Sequence, residues 1–331
     1  MVPGFRHLPG HHCGSTALRN LLAFHGLEIS EEMAFGLGAG ACFYYVSLDG
    51  QSPSRFLKGR VRRLEERFLE LTGARLRSET FDHPDAAWDG ARATVDSGRP
   101  ALLLTDLYHL DHYGSSARFP GHAVVLAGYD DEVAYLADTA FEELQTTRLE
   151  SLARARHGTL PIFPLEGQML TVDDGSGLED PVPAAPRAIS RAAEQMLRPE
   201  LGEHQGLPAL RRFATEVEGW PQSVGDWRWC ARLGYQVIER RGTGGGNFRR
   251  MYARFLAEVA EPAPAAVADG ADLAAEAAER WSALGSVLLD ASEVERPEAA
   301  RWRRIASQGA AVLEGEERLW ATLAAASGSR T

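Results

Sequence analysis

The strongest constraint on the fold of this chain is a change of sequence pattern near residues 171–185. Before this stretch, short apolar and β-branched runs alternate with amphipathic segments, which is typical of strands mixed with helices. After it, nearly every segment has the spacing of an amphipathic helix. Turn-forming residues and prolines cluster between the two parts, as they do in domain linkers. The pattern predicts an α+β N-terminal domain over 1–170, a linker over 171–185 and an all-α domain over 186–331.

Length, charge and cysteine content narrow the class of protein further. A chain of 331 residues is long for one hydrophobic core, and its net charge of −11 argues against nucleic acid as a partner. No apolar run is long enough to span a bilayer, and the first residues lack the apolar core of a signal peptide. Cys13, Cys42 and Cys230 are too widely spaced for a disulfide framework or a thiolate metal site. We expect a cytoplasmic protein with reduced thiols, no metal and no other cofactor.

Periodicity predicts the individual elements of both domains. In the first domain we expect helices over 14–25 and 56–72, the second with a basic face, and a hairpin of strands 122–129 and 133–138 around an acidic turn. Further strands are expected at 41–47 and 100–106. In the second domain the expected helices are 187–198, 207–218, 224–240, 247–260, 269–290 and 293–326.

Cys13 stands immediately before the apolar-periodic segment 14–25. At a helix N-terminus, backbone N–H groups without intrahelical acceptors and the helix dipole favour thiolate over thiol. His122, at the start of an apolar strand, is the candidate base for such a nucleophile. The predicted hairpin returns Asp138 close to His122, where it can fix the tautomer of the ring. Each residue also has a plain interpretation: a buried thiol, a histidine at a strand edge and an aspartate that ends a strand.

Two other regions carry polar side chains that fit ligand binding. Asp106 and Tyr108 follow the strand at 100–106 and are candidates for an acceptor pocket, with an ordinary surface loop as the alternative. In the same loop, His109 and His112 are three residues apart, but the carboxylate spacing that would support a metal site is missing.

A glycine-rich loop lies in the second half of the chain. Gly244 and Gly245 belong to this loop, which precedes a helix containing Arg249 and Arg250. Such a loop can hold a phosphate, for example that of a phosphopantetheine arm, although it lacks the Lys-Ser/Thr ending of a nucleotide P-loop. A mobile connector is the alternative interpretation.

Several motifs together resemble the butirosin-type (BtrH-like) acyltransferase family, which is related to papain-like cysteine enzymes and to the leader peptidases of bacteriocin transporters. The similar segments are 7–15, 106–108, 119–130, 138–139, 226–230 and 240–252. The resemblance implies a papain-like N-terminal domain with an antiparallel sheet, followed by a helical domain. It also implies acyl transfer from a carrier-protein thioester, through a cysteine acyl-enzyme, to an amine, in natural-product biosynthesis such as that of antibiotics.

Carried over to this sequence, the resemblance makes Cys13 the nucleophile, His122 the base and Asp138 the residue that orients the base. Papain-like relatives often have a glutamine six residues before the cysteine as an oxyanion donor, and here that position is His7. The oxyanion donor is therefore either His7 or a backbone N–H near Cys13. His12 and Gly14, the neighbours of Cys13, complete the candidates for contacts with the substrate.

The partners that the resemblance implies are an acyl carrier protein and a small amine, and a homo-oligomer remains open. A cysteine hydrolase, either a peptidase or an amidase, would use the same three residues, with water in place of the amine. A non-catalytic binding module on a similar scaffold is the third alternative. These alternatives predict different thiol reactivity and different products from a thioester.

Overall fold

The computed structural model describes residues 1–48, 50–158, 164–172, 178–260 and 265–328, so residues 173–177 of the predicted linker lie outside the described residues. In chain order the elements are α1 Cys13–Phe24, α2 Glu31–Leu37, β1 Ala41–Ser47, β2 Arg55–Arg60, α3 Leu64–Thr72, β3 Leu76–Glu79, α4 Pro84–Asp96, β4 Ala101–Asp106, β5 Pro120–Tyr129, β6 Val133–Ala137, β7 Gln145–Arg148, α5 Leu149–Arg156, β8 Met169–Val172, α6 Ala185–Leu197, α7 Gly206–Glu216, α8 Trp220–Ser223, α9 Trp227–Glu239, α10 Arg249–Glu258, α11 Ala265–Ser292 and α12 Ala299–Gly328.

The elements form two units. The first contains Met1–Ala34 and Arg63–Pro181, and the second contains Phe35–Arg62 and Val182–Thr331. The segment Phe35–Arg62 thus groups with the helical part of the chain, although it lies within the predicted N-terminal domain. The reason is that β1 pairs only with β2 among the described strands and packs against α6 and α7, which are helices of the second unit.

The first unit is built on one antiparallel sheet with the strand order β3-β8-β4-β5-β6-β7. Strand β4 is buried along its whole length, and β5 is buried over most of its length. Leu103, Val124, Leu126 and Leu136 contribute to the core on this sheet. Helix α1 packs against β4 and β5. This arrangement, together with the helical C-terminal region, confirms the predicted α+β class.

The second unit is held together by a helical core rich in tryptophan. Trp220, Trp281, Trp302 and Trp320 are buried in this unit, where α11 packs against α9, α10 and α12. The six predicted helices of this region are present because the apolar spacing marks the buried face of each helix, but their ends shift by up to six residues, since α12 begins at Ala299 and not at residue 293. The short helix α8 was not expected from the sequence. Within the described residues, no helix is both long enough and apolar enough to cross a membrane.

The predicted helix over 56–72 is wrong in its first part. Residues 55–60 form β2, which pairs with β1, and the helix begins only at Leu64. Arg63 separates the two elements with a left-handed backbone, at φ 55°. Because Leu57 and Gly59 are buried in alternation on β2, this short segment has the burial pattern of a strand. The basic face predicted for one helix is therefore divided between a strand and the turn that follows it.

Three short strands, β3, β7 and β8, were not expected from the sequence. Strand β3 lies at one edge of the sheet and β7 at the other. Both edge strands are largely polar, so they lack the apolar alternation by which strands are recognised. The sequence also predicts a helix over 147–156, but Thr147 and Arg148 belong to β7 and α5 begins at Leu149.

Candidate catalytic site

Cys13 is the first residue of α1, and 9% of its surface is exposed. The residue before it, His12, is the N-cap of the helix and has an extended backbone. Its Nδ1 accepts a hydrogen bond from the backbone N–H of Ser15 at 3.2 Å. The Cys13 side chain is therefore at the end of the helix where the helix dipole and the first-turn N–H groups stabilise negative charge. The helix start that the sequence predicts next to Cys13 is thus present.

The loop that leads into Cys13 is fixed by the carboxylate of Glu31. This carboxylate accepts hydrogen bonds from the backbone N–H of His11 at 3.0 Å and of His12 at 2.6 Å. It also accepts one from the hydroxyl of Ser15 at 3.3 Å. Glu31 is buried in the first turn of α2, so several charge-assisted hydrogen bonds hold the chain before Cys13 in one conformation.

His122 is the third residue of β5 and lies opposite Thr105 of β4. Because α1 packs on β5, the start of the helix and the start of the strand come together, and the His122 ring forms a hydrogen bond with the Cys13 side chain. The ring nitrogen Nε2 lies 3.0 and 3.1 Å from the two carboxylate oxygens of Asp138. With Nε2 directed at Asp138, Nδ1 is the ring nitrogen left for the thiol.

Asp138 reaches this position because β5 and β6 form the predicted hairpin. Val125 pairs with Ala137, the last residue of β6, so Asp138 emerges next to the beginning of β5. The structure thus brings the three predicted residues, Cys13, His122 and Asp138, into one hydrogen-bonded row.

The ionisation of this row follows from its charges. Burial opposes a charge on His122, but the charge of Asp138 and the hydrogen bonds to Asp138 and Cys13 raise the pKa of His122 to about 10. Burial also opposes ionisation of Asp138, yet His122 and His112 together hold the pKa of this carboxyl well below its usual range. The arrangement therefore stabilises the imidazolium form of His122 between the Asp138 carboxylate and the Cys13 side chain.

Two further side chains bind Asp138, and sequence reasoning did not connect them with it. Nε2 of His112 lies 3.0 Å from Oδ2, and the hydroxyl of Tyr113 donates to Oδ1 at 2.9 Å. Nδ1 of His112 lies 3.0 Å from the hydroxyl oxygen of Thr147. The available signal was that the loop after β4 and the residue after β6 reach the same edge of the sheet.

His7, the candidate oxyanion donor, uses both ring nitrogens inside the protein. Its Nδ1 accepts a hydrogen bond from the amide of Asn20 at 3.1 Å, which leaves Nε2 to donate to the carbonyl oxygen of Phe141 at 2.8 Å. A further hydrogen bond, from Gly10 N–H to the Thr139 carbonyl oxygen at 3.1 Å, runs beside it. His7 thus ties the N-terminal segment to the chain after Asp138, which leaves the first turn of α1 as the better source of oxyanion donors.

His12 and Gly14 have structural roles that the sequence did not reveal. The His12 side chain is 2% exposed and caps α1, so it is not directed at a substrate. A Cβ atom at position 14 would lie 2.2 Å from a carboxylate oxygen of Glu65, so this position accommodates only glycine without rearrangement. These two candidates shape the start of the helix. The sequence-based expectation that the His12 ring contacts the substrate is therefore corrected: the ring caps α1 instead.

Asp106, a candidate for the acceptor pocket, is buried and acts as an anchor of the loop after β4. Its carboxylate accepts hydrogen bonds from the backbone N–H of Tyr108 at 3.1 Å and of Phe119 at 2.9 Å. It also pairs with Arg118 at 2.9 Å. Because the side chain has no exposed surface, it does not face a ligand. Tyr108 is 41% exposed and lies under the Arg118 guanidinium at 4.6 Å.

The same loop lines an open cavity of about 430 Å³. The residues that line this cavity include Tyr108, His109, Asp111, Ser151 and Arg154. Cys13, His122 and Asp138 are not among them.

The two histidines of this loop go to different partners. Burial and the nearby charge of Arg118 lower the pKa of His109, whose Nε2 accepts a hydrogen bond from Arg118 at 2.9 Å. His112 instead contacts Asp138 and Thr147. In the part of the chain that the structure describes, no three His, Cys, Asp or Glu side chains cluster as metal ligands do.

The predicted phosphate site near the glycine-rich loop is contradicted by the contacts of its arginines. The Arg249 side chain has no exposed surface and pairs with Glu316 at 2.8 and 2.9 Å. Arg250 donates to Glu279 at 2.9 Å and to Ser282 at 3.2 Å. The sequence could not reveal these partners, because they lie on α11 and α12, far along the chain.

The glycines of that loop serve the chain path. Gly244 and Gly245 have φ values of 65° and 84°, a left-handed backbone that favours glycine. The N–H of Gly245 donates to the hydroxyl of Thr243 at 2.9 Å, and the N–H of Gly246 donates to Glu239 at 3.2 Å. Backbone donors that are bound to a carboxylate and a hydroxyl are not arranged to receive a phosphate.

Comparison with known protein families agrees with the site geometry. Residues 12–139 match the family described as "Butirosin biosynthesis protein H, N-terminal", a range that begins just before Cys13 and ends just after Asp138. Residues 150–323, more than half of the chain, match a domain of unknown function, DUF4872. No curated protein is significantly similar in sequence. The resemblance that the N-terminal motifs indicate is thus confirmed over residues 12–139, and the chain belongs to the family of proteins that carry the DUF4872 domain.

Proposed function

We propose that this protein is a cysteine acyltransferase that moves an acyl group from a carrier-protein thioester to an amine. The observation that carries the proposal is the row formed by Cys13 at a helix N-terminus, His122 and Asp138. The description of the matching family names butirosin biosynthesis, which supports a role in natural-product biosynthesis. The nucleophile must stay reduced, so we also propose that the protein acts in the cytoplasm.

In the first half-reaction the Cys13 thiolate attacks the carbonyl carbon of the thioester. In this proposal the tetrahedral oxyanion is stabilised at the N-terminal end of α1, where the helix dipole and the first-turn backbone favour negative charge. The bond between the acyl carbon and the carrier sulfur then breaks. The departing carrier thiolate takes a proton from the His122 imidazolium, which leaves a neutral imidazole beside an acyl-Cys13 thioester.

In the second half-reaction the nitrogen of a substrate amine attacks the acyl-Cys13 carbonyl carbon. The neutral His122 ring accepts the proton that the amine loses, and the Cys13 thiolate leaves. An amide has formed, and the imidazolium-thiolate pair is restored. Asp138 holds the ring by Nε2 in both halves, so Nδ1 stays directed at the reacting atoms.

The thioester is the expected donor because the exchange between two thioesters is nearly balanced in free energy. The formation of the amide then makes the second half-reaction favourable. Water competes with the amine for the same acyl-enzyme, so a hydrolase would differ only in the second nucleophile.

The test is to incubate the protein with an acyl N-acetylcysteamine thioester and with the acyl group loaded on a carrier protein, with and without amines. We expect amide to form in proportion to the amine, Cys13→Ala to abolish it, and the matched variant Cys230→Ala to retain it. Free acid released at a rate independent of the amine would identify a hydrolase. Turnover that survives Cys13→Ala would overturn the nucleophile itself.

A further inference from the structure

The carboxylate of Asp138 serves more side chains than a three-residue catalytic row requires. His122 contacts both of its oxygens, His112 contacts Oδ2 at 3.0 Å, and the Tyr113 hydroxyl donates to Oδ1 at 2.9 Å. The Asp138 side chain has no exposed surface, so these groups replace the water that would otherwise solvate it.

His112 is itself held in one orientation from its far side. Its Nδ1 lies 3.0 Å from the hydroxyl of Thr147 on β7, and its side chain is 5% exposed. When the Thr147 hydroxyl donates to Nδ1, the proton of the neutral ring resides on Nε2, which then donates to Asp138. The Phe141 ring packs edge-on against His112 at 5.4 Å, which limits rotation of the imidazole.

The loop that carries His112 is tied down at both of its ends and again beside His112. Asp106 accepts hydrogen bonds from the backbone N–H of Tyr108, near the start of the loop, and of Phe119, near its end. Next to His112, the Asp111 carboxylate accepts hydrogen bonds from the backbone and side chain of Arg148 and from Ser151. These bonds to the side chain and backbone of Arg148 and to Ser151 outweigh burial and lower the pKa of Asp111. The position of His112 is therefore set by the fold of the loop and not by its contact with Asp138 alone.

We propose that His112 is a positioning residue that keeps the Asp138 carboxylate ionised and turned toward His122. Tyr113 acts in the same way on the other oxygen. In the proposed reaction His112 acts through Asp138, whereas Tyr113 acts through Asp138 and also packs edge-on against the His122 ring at 5.6 Å. The inference rests on the proposed function, because it assigns to these side chains a part in stabilising the Cys13 thiolate.

The physical reason lies in the cost of a buried carboxylate. Each hydrogen bond to the ionised form lowers the affinity of the carboxyl for a proton, and the loss of one raises it. The titratable groups that face Asp138 are His112, His122 and Tyr113, with Cys13 beyond the His122 ring. Without the His112 donor, Asp138 takes up a proton at higher pH, and the imidazolium-thiolate pair loses its support there.

The test uses substitutions that separate the two nitrogens of His112. In His112→Gln the side-chain amide reaches the place of Nε2 and still donates to Asp138. In His112→Asn the amide reaches only the place of Nδ1, toward Thr147. His112→Leu removes both contacts, and Tyr113→Phe removes the donor to Oδ1 while keeping the ring. The thermal unfolding of each variant shows whether it is folded, and the Gln and Asn pair decides the question if the leucine variant does not fold.

The readout is the rate at which iodoacetamide alkylates Cys13 as a function of pH, followed by mass spectrometry of the Cys13 peptide. This measures the thiolate without any acyl substrate. We expect the midpoint of the profile to rise by about one pH unit in His112→Asn and His112→Leu, and to stay near wild type in His112→Gln. With a working thioester assay, kcat should fall about tenfold in the same two variants while KM changes little.

A midpoint that is the same in wild type and in every folded variant would overturn the inference, because a purely structural role leaves the thiolate unchanged. Equal shifts in His112→Gln and His112→Asn would overturn it too, since the Nε2 donor would then be irrelevant. If the midpoint shifts as expected in His112→Asn and His112→Leu but the wild type transfers no acyl group, the proposed function is removed and the positioning role remains. Slow labelling of Cys13 in the wild type, confined to alkaline pH, would contradict both.

Discussion

Two buried carboxylates in this molecule have different kinds of partner: Asp138 binds side chains that can change their charge, and Glu316 binds side chains that cannot. In the first unit, Asp138 binds two histidines and a tyrosine, and one of the histidines reaches Cys13. In the second unit, Glu316 accepts two hydrogen bonds from Arg249 and one each from the indole N–H groups of Trp281 and Trp320, at 2.6–2.9 Å. Both carboxylates lack exposed surface.

The partners make the difference. An arginine remains protonated at any pH that a protein meets, and an indole N–H does not ionise near neutral pH. The charges of the partners of Glu316 are therefore fixed. An imidazolium releases its proton at a much lower pH than a guanidinium does, so the charge of the Asp138 cluster can change next to the Cys13 thiol. A buried polar network therefore marks an active site only where a titratable partner meets a reactive group.

The removal of the base should have the largest effect. We expect His122→Ala to lower kcat/KM for acyl transfer about 10³-fold, equivalent to about 4 kcal/mol of transition-state free energy, because neither thiolate formation nor proton transfer is then supported. Steady-state kinetics with the acyl thioester measure this. A fall of less than about tenfold would mean that His122 is a structural histidine of β5.

The ion pair of the second unit should affect stability and not reactivity. Glu316→Leu leaves the buried Arg249 charge without its carboxylate, with only backbone carbonyl oxygens as hydrogen-bond partners, so we expect the free energy of unfolding to fall by about 3–5 kcal/mol. The double variant Arg249→Met/Glu316→Leu should recover much of that loss. Denaturant unfolding checks both expectations. In the folded variants, the rate of Cys13 alkylation should equal that of the wild type, and a marked change would erase the contrast between the two clusters.

A smaller kinetic effect is expected for Asp138→Asn. The amide keeps the shape of the side chain but loses the charge that raises the pKa of His122, so kcat should fall about 100-fold without vanishing. The pH profile of Cys13 alkylation should move toward alkaline pH in the same variant. Unchanged kinetics in a correctly folded Asp138→Asn protein would remove this residue from the proposed mechanism.

The sequence predicts the part of this site that depends on local pattern. The helix start at Cys13 and the hairpin that joins His122 to Asp138 follow from apolar periodicity and from one acidic turn. The contact of His112 with Asp138 could not be predicted in this way, because it depends on how an irregular loop of the first unit folds back. The error at Arg249 has the same origin: its partner Glu316 lies 67 positions away on another helix.

The smallest expected effect is a dependence of stability on pH. The pKa of His122 is raised from 6.5 to about 10, so the stability it contributes is complete below pH 6.5 and is lost as the pH rises toward about 10. The pKa of Asp138 is lowered from 3.8, so its contribution is complete above pH 3.8 and is lost as the pH falls below that value. The difference in unfolding free energy between wild type and Asp138→Asn should therefore be largest between pH 3.8 and pH 6.5. A difference that is independent of pH would show that the charge of this row does not contribute to folding.

The central claim is that the thiolate of Cys13, held by His122 and Asp138, carries the acyl group. Trapping the acyl-enzyme tests it most directly: the protein is mixed with an acyl thioester, quenched in acid within seconds and digested for mass spectrometry. The account predicts one acyl group on the Cys13 peptide, which disappears when an amine is added and does not form in His122→Ala. Consumption of the thioester without any acyl group on Cys13 would contradict it.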